Sequence, residues 1–412
     1  MLKIAFITPE YPPVIYGGLG VYSYEVVRRL AEIGCEVHVF TMNTANGKYP
    51  VHECFGNIAI HRVIPVDVSY ALRIIVNDEL RNWGQGLKYF NDVLTYNIAS
   101  ASIINTLVRD GLRFDIVSVH DWLTSIAGLS LKNMYPSIPM VFHIHSSEKG
   151  RNLGGGSPTV SLLELECAKA SNAIVTVSNA MRDYDLKPQG FPNEKIHVVW
   201  NGVDPEKYNP EKVSRNTVDE VKSRYGGDPL ILFIGRLVRI KGVDNLVKSM
   251  RYVLEKYPKA KLLIIGVGDL LEQVLRDAES IGGITVINRF LSEEERIAYY
   301  AACDLAVFPS LYEPFGIVAI EAMAMGKPVV VGAYGCSGFR EIVTPSGSGQ
   351  CGVHVNPHDP KDIAWGIEAI LESSDRGRWM GLNGRRRVLE NFTWSRTVME
   401  TLKIYKSLLG LE

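Results

Sequence analysis

Short β-branched runs alternate with longer amphipathic stretches along the whole sequence, and that alternation admits few architectures. Strands are read at 2–8 (L-K-I-A-F-I-T), 36–41, 58–63, 115–119 (D-I-V-S-V), 139–144, 173–177 and 196–199. Helical periodicity fills most of the intervals; between Val21 and Ile33, for instance, Val26, Val27, Leu30 and Ile33 share one face. The second half repeats the scheme, with runs at 230–235, 261–266, 284–287, 305–310 and 328–332. A strand that returns to its sheet through a helix lies parallel to the strand before it, and the helices cover both faces. The fold class expected is α/β, with two Rossmann-like, doubly wound parallel sheets.

At 412 residues the chain is too long for one ordinary core, so two domains are expected. The stretch N-G-V-D-P-E-K-Y-N-P at 201–210 is dense in turn formers and prolines, which places a hinge between domains at 1–200 and 201–392. A last helical pattern, Trp394 to Leu409, is expected to carry segment 393–412 back to the first domain. With 46% hydrophobic and 22% charged residues and a formal net charge of −1, the chain has no composition for coating a nucleic acid. Any anionic ligand must then be met by local positive charge.

The six cysteines lie far apart, with no C-x-x-C pair and no histidine at zinc spacing, as for free thiols in a reducing, cytoplasmic setting. The amino terminus enters an apolar run without a charged leader region, and no segment approaches the roughly 18 apolar residues of a membrane span. No transmembrane segment and no metal or cofactor are expected. No oligomeric state is assigned.

Ligands of such sheets collect at the carboxyl ends of strands. After the first strand, Gly17 and Gly18 precede a helix, where they make either a tight turn or a backbone cradle for an anion. After strand 230–235, G-R-L-V-R-I-K-G puts Arg236 and Lys241 at the opening of the next helix. Unless merely solvated, a guanidinium fork and a compact ammonium there suit a diphosphate.

After strand 305–310 stand Glu313 and, eight positions on, Glu321, in a run otherwise almost wholly apolar. A carboxylate out of reach of water must be paired. Glu321, about one turn inside a helix starting near Gly316 or Ile317, either accepts both hydroxyls of a ribose or caps a neighbouring loop. In the first half, strand ends deliver His120 in H-D-W and, pointing the same way by alternation, His143 and His145 in H-I-H-S-S-E-K-G-R. These are either core histidines or members of a site.

Together these residues resemble a known family. P-P-x-x-x-G-G at 12–18, G-R-x-x-x-x-K-G at 235–242, P-S-x-Y-E-P-F-G-x-x-x-x-E-A at 309–322, H-D-W, and V-T-V-S-N at 175–179 are similar to those of the retaining GT-B-fold glycosyltransferases. That family includes glycogen and starch synthases and sucrose-phosphate synthases. The resemblance implies two Rossmann-like domains facing across a cleft, with His120, Arg236, Lys241 and Glu313 in catalysis. It implies that Arg236 and Lys241 neutralise a diphosphate leaving group and that Glu321 holds the ribose. Glu313 and the Phe315-Gly316-Ile317 backbone would hold the donor sugar, with Gly17 and Gly18 beside it, and His143 and His145 would be acceptor or sugar contacts.

The implied partners are a nucleotide sugar donor and a carbohydrate acceptor. Bacterial glycogen synthases carry Lys-Thr-Gly-Gly where this chain has Ile15-Tyr16-Gly17-Gly18, whereas H-D-W and H-I-H-S-S-E-K-G-R are similar to archaeal proteins described as glycogen synthases. The reading is a hexosyltransferase, moving glucose from UDP- or ADP-glucose to an α-glucan or soluble sugar. The alternatives are a cell-surface polysaccharide or lipid acceptor and, behind it, a GT-B-fold epimerase. Asp183-Tyr184-Asp185 is expected on a solvated face, 150–158 as a mobile glycine-rich loop, and Trp83, Tyr89 and Trp122 as either core or sugar-stacking aromatics.

Overall fold

In a computed structural model of the chain, which describes residues 1–44, 47–373, 375 and 377–411, the fold divides into two compact units. Unit 1 comprises Met1–Val177, Asp185–Val199 and Thr397–Glu412; unit 2 comprises Ser178–Tyr184 and Trp200–Arg396.

Unit 1 is built on β1 (Lys3–Ile7), β2 (Glu36–Met42), β3 (His52–Phe55), β4 (Ile58–Val63), β5 (Ile116–His120), β6 (Met140–Ile144), β7 (Ala173–Thr176) and β8 (Ile196–Val198). Their order in the sheet is β3-β4-β2-β1-β5-β6-β7-β8. Every pairing is parallel except that of β3 with β4, an antiparallel edge that the apolar pattern of 58–63 did not announce. The central strands are buried along their length, Ile4 to Ile7 and Ile116 to His120 alike, which is why they read as continuous apolar runs.

Unit 2 has β9 (Leu230–Ile234), β10 (Lys261–Ile265), β11 (Ile284–Ile287), β12 (Leu305–Phe308), β13 (Val329–Gly332) and β14 (Gly352–Val355), in the order β11-β10-β9-β12-β13-β14 and all parallel. β14, only four residues long at the sheet edge, is the other strand the sequence pattern missed. Its core joins Ile231 and Phe233 of the sheet to Leu246, Val247 and Met250 of helix Val243–Lys256 and to Ile363 and Ile367 of helix Pro360–Leu371. The turn-rich segment expected to be the hinge begins inside unit 2, where Val203 bridges Thr393 and its N–H donates to Phe392 O. The last helix, Trp394–Leu408, enters unit 1 from Thr397 and buries Val398 and Tyr405.

In each sheet the order reverses once, between β1 and β5 and between β9 and β12. Connections leave those neighbouring strands toward opposite sides of the sheet and open a crevice at their carboxyl ends. Near these ends lie Gly17 and Gly18 after β1, His120 as the last residue of β5, Arg236 and Lys241 after β9 and Glu313 after β12; His143 is in the adjacent β6 and His145 directly follows it.

Candidate functional site

In unit 1 the chain leaves β1 and turns back on itself through Glu10. One oxygen of Glu10, Oε2, accepts the N–H of Tyr16 at 2.9 Å and that of Gly17 at 3.2 Å. The Gly17 N–H, expected to be open to an anion, is therefore taken by the chain's own carboxylate at the start of helix Gly18–Glu32. Burial pushes the Glu10 carboxyl above its usual range despite these bonds. A side chain at Gly17 would meet nothing, so the sterically required glycine is Gly20, whose Cβ would lie 2.8 Å from Glu10 Oε2 and 2.9 Å from Ile15.

β5 and β6 bring the three histidines together. The His120 ring stacks on His143 at 4.6 Å and on His145 at 5.6 Å, with Phe6 at 4.2 Å. His120 and His143 are 0% and 1% exposed, while His145 is half-buried. Burial holds all three below the usual histidine range, His120 and His143 well below it, and so keeps the rings neutral. Of the three, the expected catalytic histidine, His120, lies deepest with His143; His145 reaches the surface of the unit.

Between them Asp121 has φ 55° and ψ 178°, a backbone region that side chains disfavour. It is held there by its N–H to His143 O (2.8 Å) and by Oδ1, which accepts the His145 N–H at 2.7 Å. Backbone strain of this kind persists where surrounding bonds over-determine it, and it marks the H-D-W corner as a fixed one.

The glycine-rich stretch 150–158 is wrapped around Glu148 rather than loose. Glu148 accepts from Arg151 (2.6 Å), Asn152 (3.0 Å) and the Ser157 N–H (2.9 Å). Behind it, fully buried Glu164 accepts the Glu148 N–H at 2.9 Å, and burial pushes its carboxyl up to about 8 against the pull of Arg151. A raised acid stabilises the fold below its unfolded pKa and loses that contribution as pH climbs through the folded one. Stability is thus expected to fall between about pH 4.5 and 8, by up to about 1.4 kcal/mol per pH unit from this group. Glu164→Gln should flatten that slope in urea titrations across the window; an unchanged slope would place the titration elsewhere.

Trp83 lines a cleft of about 460 Å³ with Glu79, Asn82, Glu148, Ser157 and Pro158. Trp122 is a core residue, stacked on Phe90 at 6.4 Å. Asp183 is partly exposed and paired with Arg182. The expectation of a solvated face fails for Asp185, which is buried and accepts from Ser147 and Gln189, because a π-helical turn at Arg182–Leu186 rotates it inward. Unit 1 also exposes an apolar run that the sequence pattern did not single out: Val66, Tyr70 (84% exposed), Ile74 (73%) and Ile75 (76%), around helix Ser69–Ile75.

In unit 2, β9 ends at Ile234 and is followed by Gly235 and Arg236. Arg236 is exposed and, among the described residues, has no hydrogen-bonding or ionic partner. Lys241, closing a short 3-10 turn before helix Val243–Lys256, donates to Glu313 Oε2 at 2.6 Å. The same oxygen accepts the Ser310 hydroxyl at 2.9 Å. The Glu313 backbone is fixed on both sides, its N–H to Cys336 O (3.2 Å) and its carbonyl accepting from Gly338 (2.7 Å).

Phe315 is buried, edge-on to Phe392. Gly316 has φ 110°, and a Cβ there would stand 2.1 Å from the Phe339 ring, so only glycine fits. No side chain caps helix Ile317–Ala324, which leaves its N-terminal end without a carboxylate of the chain's own, unlike the helix after β1. One turn inside it, Glu321 is buried and accepts from Tyr208 (2.9 Å) and Tyr300 (3.1 Å), with Arg296 at 3.7 Å. The chain itself thus supplies three partners for this carboxylate, none of which sequence spacing indicated.

No helix among the described residues is long and apolar enough to cross a membrane, and no group of metal-ligating side chains is found among them.

Residues 214–387 match the family described as glycosyl transferases group 1, and residues 16–207 match glycosyltransferase family 4. The sequence is 30% identical, over 98% of both chains, to an uncharacterized glycosyltransferase of Methanocaldococcus jannaschii. It is 28% identical to the alpha-maltose-1-phosphate synthase of Mycolicibacterium smegmatis, over 98% of this chain and 99% of that one. Among solved structures, the sucrose-phosphate synthase of Thermosynechococcus elongatus superposes over the whole of both chains with a TM-score of 0.81 at 22% identity, a likeness of fold.

Proposed function

The chain belongs to the GT-B glycosyltransferases of group 1 and family 4 type, and on that premise we propose that it is a retaining hexosyltransferase. It moves glucose from UDP- or ADP-glucose to an α-glucan or other soluble sugar, in the cytoplasm. The observation that carries the reading is the second sheet's reversal point, where unpartnered Arg236 comes after β9 and the Lys241–Glu313–Ser310 cluster joins the ends of β9 and β12. A relative named for making α-maltose 1-phosphate favours glucose as the sugar.

In this reading the bond between C1 and the diphosphate oxygen breaks, and its electron pair leaves with the diphosphate. Arg236 and Lys241 stabilise the charge that develops there, the effect that matters most when a phosphate departs from an oxocarbenium-like carbon. The acceptor hydroxyl bonds to C1 on the same face and yields its proton to an oxygen of the departing phosphate. Glu313 meets hydroxyls of the sugar. Glu321 holds the ribose: an ionised carboxylate has about four acceptor positions, so two tyrosine bonds leave room for two hydroxyls. No step of this reaction is assigned to a metal.

The test is to incubate the protein in EDTA with UDP-glucose or ADP-glucose, with and without a maltooligosaccharide, and to monitor products by mass spectrometry. Growth by single hexoses is expected. Nucleotide release without growth would overturn the acceptor assignment, and no turnover of either donor would overturn the donor assignment. A second reading, a lipid or cell-surface acceptor, is favoured by the exposed run Val66, Tyr70, Ile74 and Ile75 on unit 1.

A further inference from the structure

Unit 1 contains a chain of side-chain contacts that begins at Tyr22, on the helix after β1, and passes through the last helix of the protein. Tyr22 OH lies 3.2 Å from His143 Nδ1, and His143 Nε2 lies 2.9 Å from Tyr405 OH. Tyr405 OH lies 2.9 Å from Ser118 Oγ, which is 3.0 Å from His120 Nε2; His120 Nδ1 lies 3.3 Å from His145 Nε2. The far nitrogen, His145 Nδ1, has no hydrogen-bond partner among the described residues. Tyr22, Ser118, His120, His143 and Tyr405 are all buried, and His145 is the half-exposed end.

Each hydroxyl in this chain has one proton, and each neutral imidazole has one N–H and one acceptor nitrogen. Every contact has a donor, and the buried hydroxyl protons of Tyr405 and Ser118 are both used within the chain, only when every proton points the same way along it; a hydroxyl accepting from both sides would leave its own proton without an acceptor among the described residues. If protons point toward His145, His143 carries its proton on Nε2, while His120 and His145 carry theirs on Nδ1. If they point away, all three are reversed. Either way His120 and His145 share one tautomer and His143 has the other. The direction decides whether His145 offers an N–H or a lone pair at its open Nδ1.

We propose that Tyr405 and Ser118 are positioning residues that fix the tautomer of His145, the half-exposed end of this network. The network stands on the geometry alone; only its effect on turnover rests on the glycosyltransferase reading. Burial, which holds His120 and His143 neutral, is consistent with a network of uncharged rings. It also gives the final helix a part in the chemistry of unit 1 beyond covering its core.

The experiment is imidazole nitrogen NMR on the full-length protein labelled at histidine. In the unmodified protein His120 and His145 are expected as one tautomer and His143 as the other. In Tyr405→Phe the hydroxyl that links His143 to Ser118 is gone, and His120 and His145 are expected to become mixtures, with Ser118→Ala giving the same result from the other side of the break. Donor turnover by Tyr405→Phe should fall about tenfold in kcat with little change in the donor KM, less than the roughly 10²–10⁴-fold of losing such a group outright, because the imidazole itself remains. Identical tautomers at all three histidines, or no change in either variant, would overturn the network and leave the glycosyltransferase reading standing. Mixed tautomers with undiminished kcat would overturn the positioning role. The tautomer spectra read out even for a protein inactive on every donor tried, so a failed activity and a failed network are told apart.

Discussion

Glu313→Gln is expected to lower kcat by about 10²-fold or more, the scale of losing one preorganised electrostatic contact at a reacting centre, while the Kd for UDP or ADP changes only about threefold. Glu313 Oε2 accepts from both Lys241 and Ser310, and the backbone on either side is tied to Cys336 and Gly338. Glutamine has the same shape and retains an acceptor oxygen, so the turn after β12 should persist. The substitution removes the negative charge opposite the Lys241 ammonium and the charge-assisted bonds it would make to sugar hydroxyls. Because Lys241 is only partly buried, water can take over part of the pairing, and the thermal midpoint should move little. Nucleotide release gives kcat, and calorimetry of the nucleoside diphosphate alone gives Kd. A Kd that worsens as steeply as kcat would assign Glu313 to the nucleotide rather than to the sugar.

The location of this cluster was legible from the sequence because the strands around it are central. β9 and β12 are buried on both faces, so each appears as an apolar run ended by a turn, and the residues of that turn stand at the sheet's carboxyl edge. β3 left no such trace because it is an exposed edge strand; β14 puts Val353 and Val355 into the core, but four residues that include a glycine and a histidine are too few to show a pattern. The Glu10 bonds to Tyr16 and Gly17 gave no signal either. A carboxylate eight positions before the start of a helix has no periodic relation to it, even though Glu10 belongs to the same P-E-Y-P-P segment that leads to the glycines. Asp121 is adjacent to His120 in the H-D-W motif, but its left-handed φ depends on tertiary bonds to His143 and His145. Tyr22, Tyr405, Tyr208 and Tyr300 are buried among the core residues. Their hydroxyls find partners that lie as many as 287 positions away, information that no local pattern holds.

The tyrosine cradle makes Glu321 the position where a structural and a ligand role can be separated. Glu321→Ala is expected to destabilise unit 2 by about 2–4 kcal/mol, the cost of a cavity in the buried helix together with hydrogen-bonding groups left without their acceptor. Either substitution removes the anion beside Arg296, which Glu321 holds even more firmly protonated than an ordinary guanidinium; the Arg296 side chain is 25% exposed, so water takes over part of that pairing. Tyr208 would lose its acceptor in the alanine variant, while the Tyr300 hydroxyl would still have the Val318 carbonyl at 3.3 Å. Glu321→Gln should cost only about 1–2 kcal/mol, since an amide oxygen still accepts from one tyrosine and the other hydroxyl can turn to accept from the amide nitrogen. That milder variant isolates the ligand role. If the carboxylate holds a ribose, the Kd for UDP or ADP should rise about tenfold, equal to about 1.4 kcal/mol, while the Kd for inorganic pyrophosphate stays put. Urea denaturation measures the first effect and calorimetry the second. Equal weakening of both ligands would mean that the substitution acts through the shape of the helix Ile317–Ala324 and its uncapped end, and Glu321 would then be a keystone of unit 2 rather than a contact to the donor.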